Sequence, residues 1–185
     1  MNTPRLLLPL LLVALPSALA GCGEKPAPTA DEVSEDPMAG LPNGIALDQR
    51  VVGAGQPSED TLRGLTGRGY GLVISLRQPD EGGAVPGTVV EEAGMQWASV
   101  PIGGADFTAA DARALRSALD GAPQDAKVLV HCGSGSRVGA LWATMLALEQ
   151  NLTSEQAVEL ARTSGKVRDS SLERVREVVA AERGE

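Results

Sequence analysis

The chain carries one histidine, His131, and two cysteines, Cys22 and Cys132, among 185 residues. One histidine excludes a histidine-rich zinc centre, so neither metal nor cofactor is expected. It also leaves no separate base for a serine–histidine–acid or cysteine–histidine hydrolase. No structural disulfide is expected, because Cys22 falls in a leader-like segment. Aromatic residues are scarce, with two Trp, one Tyr and one Phe, so the core must be built from Leu, Val, Ile and Ala. Lys and Arg number 16 against 24 Asp and Glu, a net charge of −8 that excludes general nucleic-acid binding. Any anion site on such a chain has to be local.

The N-terminus shows Arg5 followed by an apolar run over 6–15, too short for a comfortable membrane span. Leu19-Ala20-Gly21-Cys22 comes next and resembles the lipobox of bacterial lipoproteins. That resemblance implies cleavage before Cys22, a lipid on Cys22 and a tether to the membrane. The body would then be exported, on the periplasmic or cell-surface side. Residues 1–21 are thus expected to be a signal peptide. Residues 22–43, rich in Pro, Ala, Glu, Asp and Thr without apolar periodicity, are expected to be a flexible acidic linker.

From Gly44 to Glu185 the pattern is that of a folded domain. Short apolar runs at 45–54, 72–76, 95–102 and 127–131 read as strands. Helices are expected after Gln56-Pro57-Ser58, over 88–93, from Thr108 to Asp120, over 137–150, from Thr153, and over 170–182. Thr108 with Asp111, and Thr153 with Gln156, have capping-box spacing. Alternating strands and helices predict an α/β domain with a mostly parallel central sheet flanked by helices. Ligands of such folds lie beyond the carboxyl ends of the strands. Three loops belong there: 77–81, 103–107 and 132–137.

The third loop is the most informative. Val128-Leu-Val-His131-Cys132 delivers a cysteine into Gly133-Ser134-Gly135-Ser136, and Arg137 then opens a helix. Backbone N–H groups of such a loop converge on one point, and the helix dipole adds positive potential there. Arg137 can close the far side with a planar fork. A sulfur nucleophile and an anion cradle therefore come from one segment. Ser134 and Ser136 are candidate donors to a bound anion, or small residues that permit a tight turn. His131, by strand alternation, points away from Cys132, and its expected role is to orient the loop by hydrogen bonds. Asp106 is the candidate proton donor, with Asp80 and Glu81 as rivals. Arg77 is read as charge at the site mouth or as an acid's partner, and Trp97 and Trp142 as core.

This loop resembles the phosphate-binding loop of cysteine-dependent tyrosine and dual-specificity phosphatases. Gly55-Gln56-Pro57-Ser58, Val73-Ile74-Ser75-Leu76-Arg77, Pro101-Ile102-Gly103-Gly104 and the stretch 128–142 are similar to the phosphatase-like domain of bacterial beta-lactamase hydrolase-like proteins. The resemblance implies a dual-specificity phosphatase fold and phosphomonoester hydrolysis through a phosphocysteine on Cys132, with Arg137 on the phosphoryl oxygens. Two positions depart from it. Phosphatases have five residues between cysteine and arginine, whereas this chain has four. The residue after the arginine is usually Ser or Thr and here is Val138. A six-residue loop resembles that of rhodanese-type sulfurtransferases, in which Cys132 would carry a persulfide. The expected partner is a phosphorylated or sulfur-carrying substrate; a non-catalytic anion- or partner-binding module is the third alternative.

Overall fold

A computed structural model describes residues 36–185. The signal segment 1–21, Cys22 and the linker up to residue 35 lie outside the described residues. The elements run β1 (Ile45–Ala46), β2 (Val51–Ala54), α1 (Glu59–Gly64), β3 (Tyr70–Ser75), α2 (Gly87–Glu92), β4 (Gln96–Ser99), α3 (Ala109–Asp120), β5 (Lys127–His131), α4 (Ser136–Gln150), α5 (Ser154–Thr163) and α6 (Asp169–Arg183). The sheet order is β1-β2-β5-β3-β4. Only the β1–β2 pair is antiparallel. The apolar run at 45–54 is therefore a hairpin and not one strand. Asp48 turns it by accepting the amides of Arg50 and Val51, each at 2.7 Å.

The expected α/β layering holds. β5 is the central strand, and its alternation divides the core. Val128, Val130 and Cys132 face a large cluster with Leu115, Leu141, Val175 and other residues of α3, α4, α5 and α6. Leu129 faces a smaller cluster with Leu62 of α1 and Val90 of α2. A register irregularity between Tyr70 and Leu72 puts Tyr70 on the same side as Val73, three residues on. Both capping boxes form: Thr108 Nα donates to Asp111 Oδ2 at 2.8 Å, and Thr153 Nα to Gln156 Oε1 at 2.9 Å.

The packed body begins ahead of Gly44. Leu41 is buried, and Met38 packs on the smaller cluster. Tyr70 donates its hydroxyl to Pro37 O at 2.7 Å, and Arg68 donates to Ala39 O at 2.6 Å. Burial pushes the Tyr70 phenol up to about 12. Among the described residues no helix is long and apolar enough to cross a membrane.

α4 is enclosed on several sides because its sequence is apolar nearly all round. Gly139 lets the α5–α6 connection approach it. A Cβ there would lie 2.6 Å from Ser164 O and 2.7 Å from Val167 Cγ2. Gly139→Ala is therefore expected to cost about 1–3 kcal/mol through overpacking. The check is urea unfolding, with a lower midpoint at unchanged slope.

Candidate active site

Strand β5 ends the sheet's centre at His131, and the chain turns at once into α4. The turn depends on Gly135, whose φ of 92° is open to glycine and strained for other residues. In this conformation the Gly135 amide donates to Cys132 Sγ at 3.1 Å. Cys132 itself is 1% exposed, and its amide donates to Ala54 O of β2 at 3.2 Å. Gly133 O accepts from the Gln56 amide at 3.1 Å, so the loop is braced on the segment after β2. The amides of Gly133 and Ser134 find no acceptor among the described residues. First-turn amides of α4 likewise have no helical partner. The loop thus keeps the amides of Gly133 and Ser134 free, while that of Gly135 is taken by the Cys132 sulfur.

Arg137 closes it. Its two terminal nitrogens pair with both carboxylate oxygens of Glu81, Nη2 to Oε2 at 2.7 Å. Nη1 also donates to Ile102 O at 2.8 Å and to Leu76 O at 3.2 Å, the carbonyls beyond β4 and β3. The Arg137 pKa is raised, first by the hydrogen bond to Glu81, against the effect of burial, with the Cys132 sulfur adding to the rise. The Arg137 guanidinium holds the Glu81 carboxyl at about 2, assisted by the Gln78 amide and the Arg77 charge and opposed by burial. Glu81 is therefore an ionised clamp and not a proton donor. Arg77 joins it, with Nε 3.5 Å from Glu81 Oε2, and also donates to Gly82 O at 2.6 Å. Of the two roles read for Arg77, pairing with an acid is the one observed.

The cleft above the loop is about 640 Å³ and brings together the three strand-end loops, including Asp80, Glu81, Gly104, Ser134 and Arg137. Asp106 is not among its walls. It is exposed and borders a neighbouring depression with Arg174 and Glu177. Its amide donates to Gly103 O at 2.7 Å, which turns its side chain's loop toward the α3 cap. Asp80, the rival acid read from the sequence, lines the cleft.

His131 faces away from Cys132, as alternation requires, with its ring centroid 6.1 Å from that of Trp97. Both ring nitrogens are buried without a well-aligned hydrogen-bond partner among the described residues. Burial lowers its pKa to about 4 against the pull of the Cys132 backbone, and the charges of Arg77 and Arg137 add to the lowering. The imidazole is neutral near pH 7. Support of the loop comes from the His131 backbone carbonyl, which accepts the Leu76 amide at 2.8 Å. Ser136 is 4% exposed, and its hydroxyl accepts the Arg168 amide at 3.0 Å, a tie to the start of α6. Ser134 is exposed at the rim, its carbonyl accepting from Asn43 Nδ2 at 3.2 Å. Val138 is 1% exposed and packs toward Gly53 of β2, so the position after the arginine belongs to the core. Trp142 is core as expected, and Trp97 is partly buried against the smaller cluster. Arg168, Ser170 and Ser171 also line the cleft. No signal in the sequence linked them to a loop more than thirty residues earlier.

The fold is that of the PTP-like phosphatases. A candidate phosphatase of the DUF442 group from Shewanella putrefaciens superposes with a TM-score of 0.64 at 24% identity, over 82% of this chain and 100% of that one. PTPMT1, solved in complex with PI(5)P, superposes with a TM-score of 0.60 at 21% identity, over 77% of this chain and 99% of that one. In sequence the chain is similar to the beta-lactamase hydrolase-like protein of Xylella fastidiosa, 30% identical over 126 residues, or 65% of this chain. The matched region spans 29% of that relative's length. The corresponding Agrobacterium fabrum protein is 27% identical over 126 residues, again 29% of its length. No family model matches the chain.

Two titrations follow from the site. Unfolded His131 takes up a proton near 6.5, whereas in the fold it does so near 4, so stability falls as pH drops from about 6.5 toward 4. With one histidine in the chain, its imidazole resonance gives the folded value directly by NMR. Ionised Glu81 stabilises the fold fully above about 4.5, and this contribution fades as pH falls toward 2. Glu81→Gln is expected to cost about 1–2 kcal/mol at pH 7, since the carboxylate is partly open to water. The difference from wild type should shrink below pH 4.5 in denaturant titrations.

Proposed function

We propose that the protein is a cysteine-dependent phosphatase-like hydrolase of phosphomonoesters, with Cys132 as nucleophile and Arg137 as the cation of its anion cradle. The observation that carries this reading is the way Arg137 is held. Glu81 takes the Nη1–Nη2 end of the guanidinium, which leaves the Nε–Nη2 edge as its second pair of donors. Nη2 lies 3.6 Å from where a Cβ on Gly133 would stand. A planar edge with two donors, set beside unpartnered loop amides, matches the oxygens of a phosphoryl group.

In this reading Cys132 Sγ attacks phosphorus, forming the S–P bond as the P–O bond to the leaving group breaks. Asp80 gives its proton to the leaving oxygen. Water then attacks the phosphocysteine, Asp80 takes up the water proton, and inorganic phosphate leaves with the cysteine sulfur restored. Glu81 acts through Arg137 as a positioning residue.

Specific observations favour sulfur transfer as a second reading. The loop has four residues between Cys132 and Arg137, and Val138 supplies no hydroxyl to help a phosphocysteine break down. A persulfide on Cys132 needs a smaller cradle and no proton donor. Export and a lipid on Cys22 are proposed on the lipobox alone.

The purified protein should release phosphate from an aryl phosphate, and Cys132→Ser should abolish this. Arg137→Lys retains the charge but loses the fork, and should lower kcat/KM by about 10²–10³-fold. Cysteine-dependent sulfur transfer from thiosulfate, with no phosphate release, would replace the first reading by the second.

A further inference from the structure

Two stretches of the chain, Gly55-Gln56-Pro57-Ser58 and Val73-Ile74-Ser75-Leu76-Arg77, have no part in the proposed chemistry, yet they meet in the fold. Arg77 leaves β3 with its side chain only 10% exposed, an unusual setting for a cation. Its Nη1 donates to Gln56 Oε1 at 3.3 Å and its Nη2 to Gly82 O at 2.6 Å. Its Nε lies 3.5 Å from Glu81 Oε2. Gln56 is oriented for this contact: its Nε2 donates to Pro57 O at 3.1 Å, which turns Oε1 to Arg77.

One guanidinium therefore reaches both halves of the anion site. On one side is Glu81, which holds Arg137 by both carboxylate oxygens. On the other is Gln56, whose amide donates to Gly133 O at 3.1 Å. The peptide between Gly133 and Ser134 is trans and planar, so its N–H points opposite to its carbonyl. Holding the Gly133 carbonyl at Gln56 thus aims the Ser134 N–H away from Gln56, where no acceptor among the described residues takes it. The charges fit the same arrangement. One carboxylate, Glu81, serves two arginines, and neither has a second carboxylate partner among the described residues. Arg77, Arg137 and Glu81 together keep one positive charge, which a bound anion neutralises.

We propose that Arg77 is a positioning residue of the anion site, fixing Arg137 through Glu81 and the cysteine-loop backbone through Gln56. Arg77 is not among the walls of the cleft, so it acts through these two partners and not on the anion itself. Turnover at Cys132 rests on the phosphatase reading, whereas the ordering of the site by Arg77 is a binding property.

The test uses the full-length protein, with inorganic phosphate titrated against the amide resonances of the cysteine loop. Arg77→Met should raise the phosphate Kd about tenfold, through loss of both arms. Gln56→Ala removes one arm and should raise it about threefold. Arg77→Lys keeps the charge but cannot hold Gln56 and Gly82 together, so a loss of about threefold should remain. In a Glu81→Gln background Arg77→Met should cost only about threefold more, since the route through Glu81 is already cut. Hydrogen exchange reads the brace directly. In Arg77→Met the Gln56 amide should exchange about tenfold faster, while the Leu76 amide on His131 O keeps its rate. Phosphate affinity within about twofold of wild type in Arg77→Met overturns the proposal. So do full recovery in Arg77→Lys, an equal loss in the Glu81→Gln background, and a Leu76 amide that quickens as much as Gln56. If Arg77→Met does not fold, Gln56→Ala and Arg77→Lys decide, and wild-type affinity in either overturns it. Wild-type protein that binds no phosphate removes the anion site and the proposal together. Failure of the phosphatase reading alone is seen separately, as wild-type protein that binds phosphate but releases none from an aryl phosphate.

Discussion

The guanidinium of Arg137 joins parts of the chain that lie far apart in sequence. It begins α4, yet it accepts its fixed position from the carbonyls of Leu76 and Ile102 at the ends of β3 and β4, and from the carboxylate of Glu81 in the loop between β3 and α2. The rest of the site depends on this arrangement. A free arginine at the end of a short Gly/Ser loop would sample many positions. Here one end of the fork is occupied and the Nε–Nη2 edge is left. Holding both carboxylate oxygens at once makes the pair directional, which a lysine could not reproduce. The low pKa of Glu81 and the raised pKa of Arg137 are two expressions of the same contact.

The electrostatics of the site are local. The chain as a whole carries a net charge of −8, and Arg137, paired with Glu81, is the cation set beside the buried sulfur. Buried neutral His131 behind the strand adds no charge and serves the packing between Trp97 and the sheet. Its backbone, not its ring, takes part in the hydrogen-bond ladder that aligns β5 with Leu76. The loop that is one residue shorter than in phosphatases still forms a cradle, because Gly135 makes the turn into α4 and Gln56 braces Gly133 from the side. The shortening bears on which anion fits, and Val138 bears on how a covalent intermediate would break down.

The start of α6 adds Arg168, Ser170 and Ser171 to the walls of the cleft. Its register is set by the Ser136–Arg168 contact and by the missing side chain at Gly139. Small residues of α4 thus do two jobs: they let the cysteine loop turn, and they admit the segment that carries this wall.

Local chemistry made much of this legible in the sequence. The strand at 127–131, the two capping boxes, the apolar helix after Arg137 and the gathering of three strand-end loops all follow from periodicity and from short-range hydrogen bonding. The same reasoning identified Cys132 and Arg137 as neighbours, because they share one loop. What it could not settle was which acid meets which cation, since those partners are set by long-range packing. Asp106, Asp80 and Glu81 have similar sequence contexts at strand ends, and only the fold separates them: Glu81 clamps Arg137, Asp80 lines the cleft and Asp106 lies outside it. His131 was placed on the correct side of β5 by alternation, but its lack of well-aligned ring partners depends on what covers that side. The α6 wall is the clearest case. Nothing near Arg168 in the chain marks it as part of the site, and it arrives there because α4, α5 and α6 pack around one apolar face. The sequence by itself therefore determined the α/β alternation and the cysteine–arginine loop, which local rules govern. The tertiary structure alone decided the ion pair that fixes Arg137, the acid in the cleft and the α6 wall, because each requires residues far apart in the chain to meet.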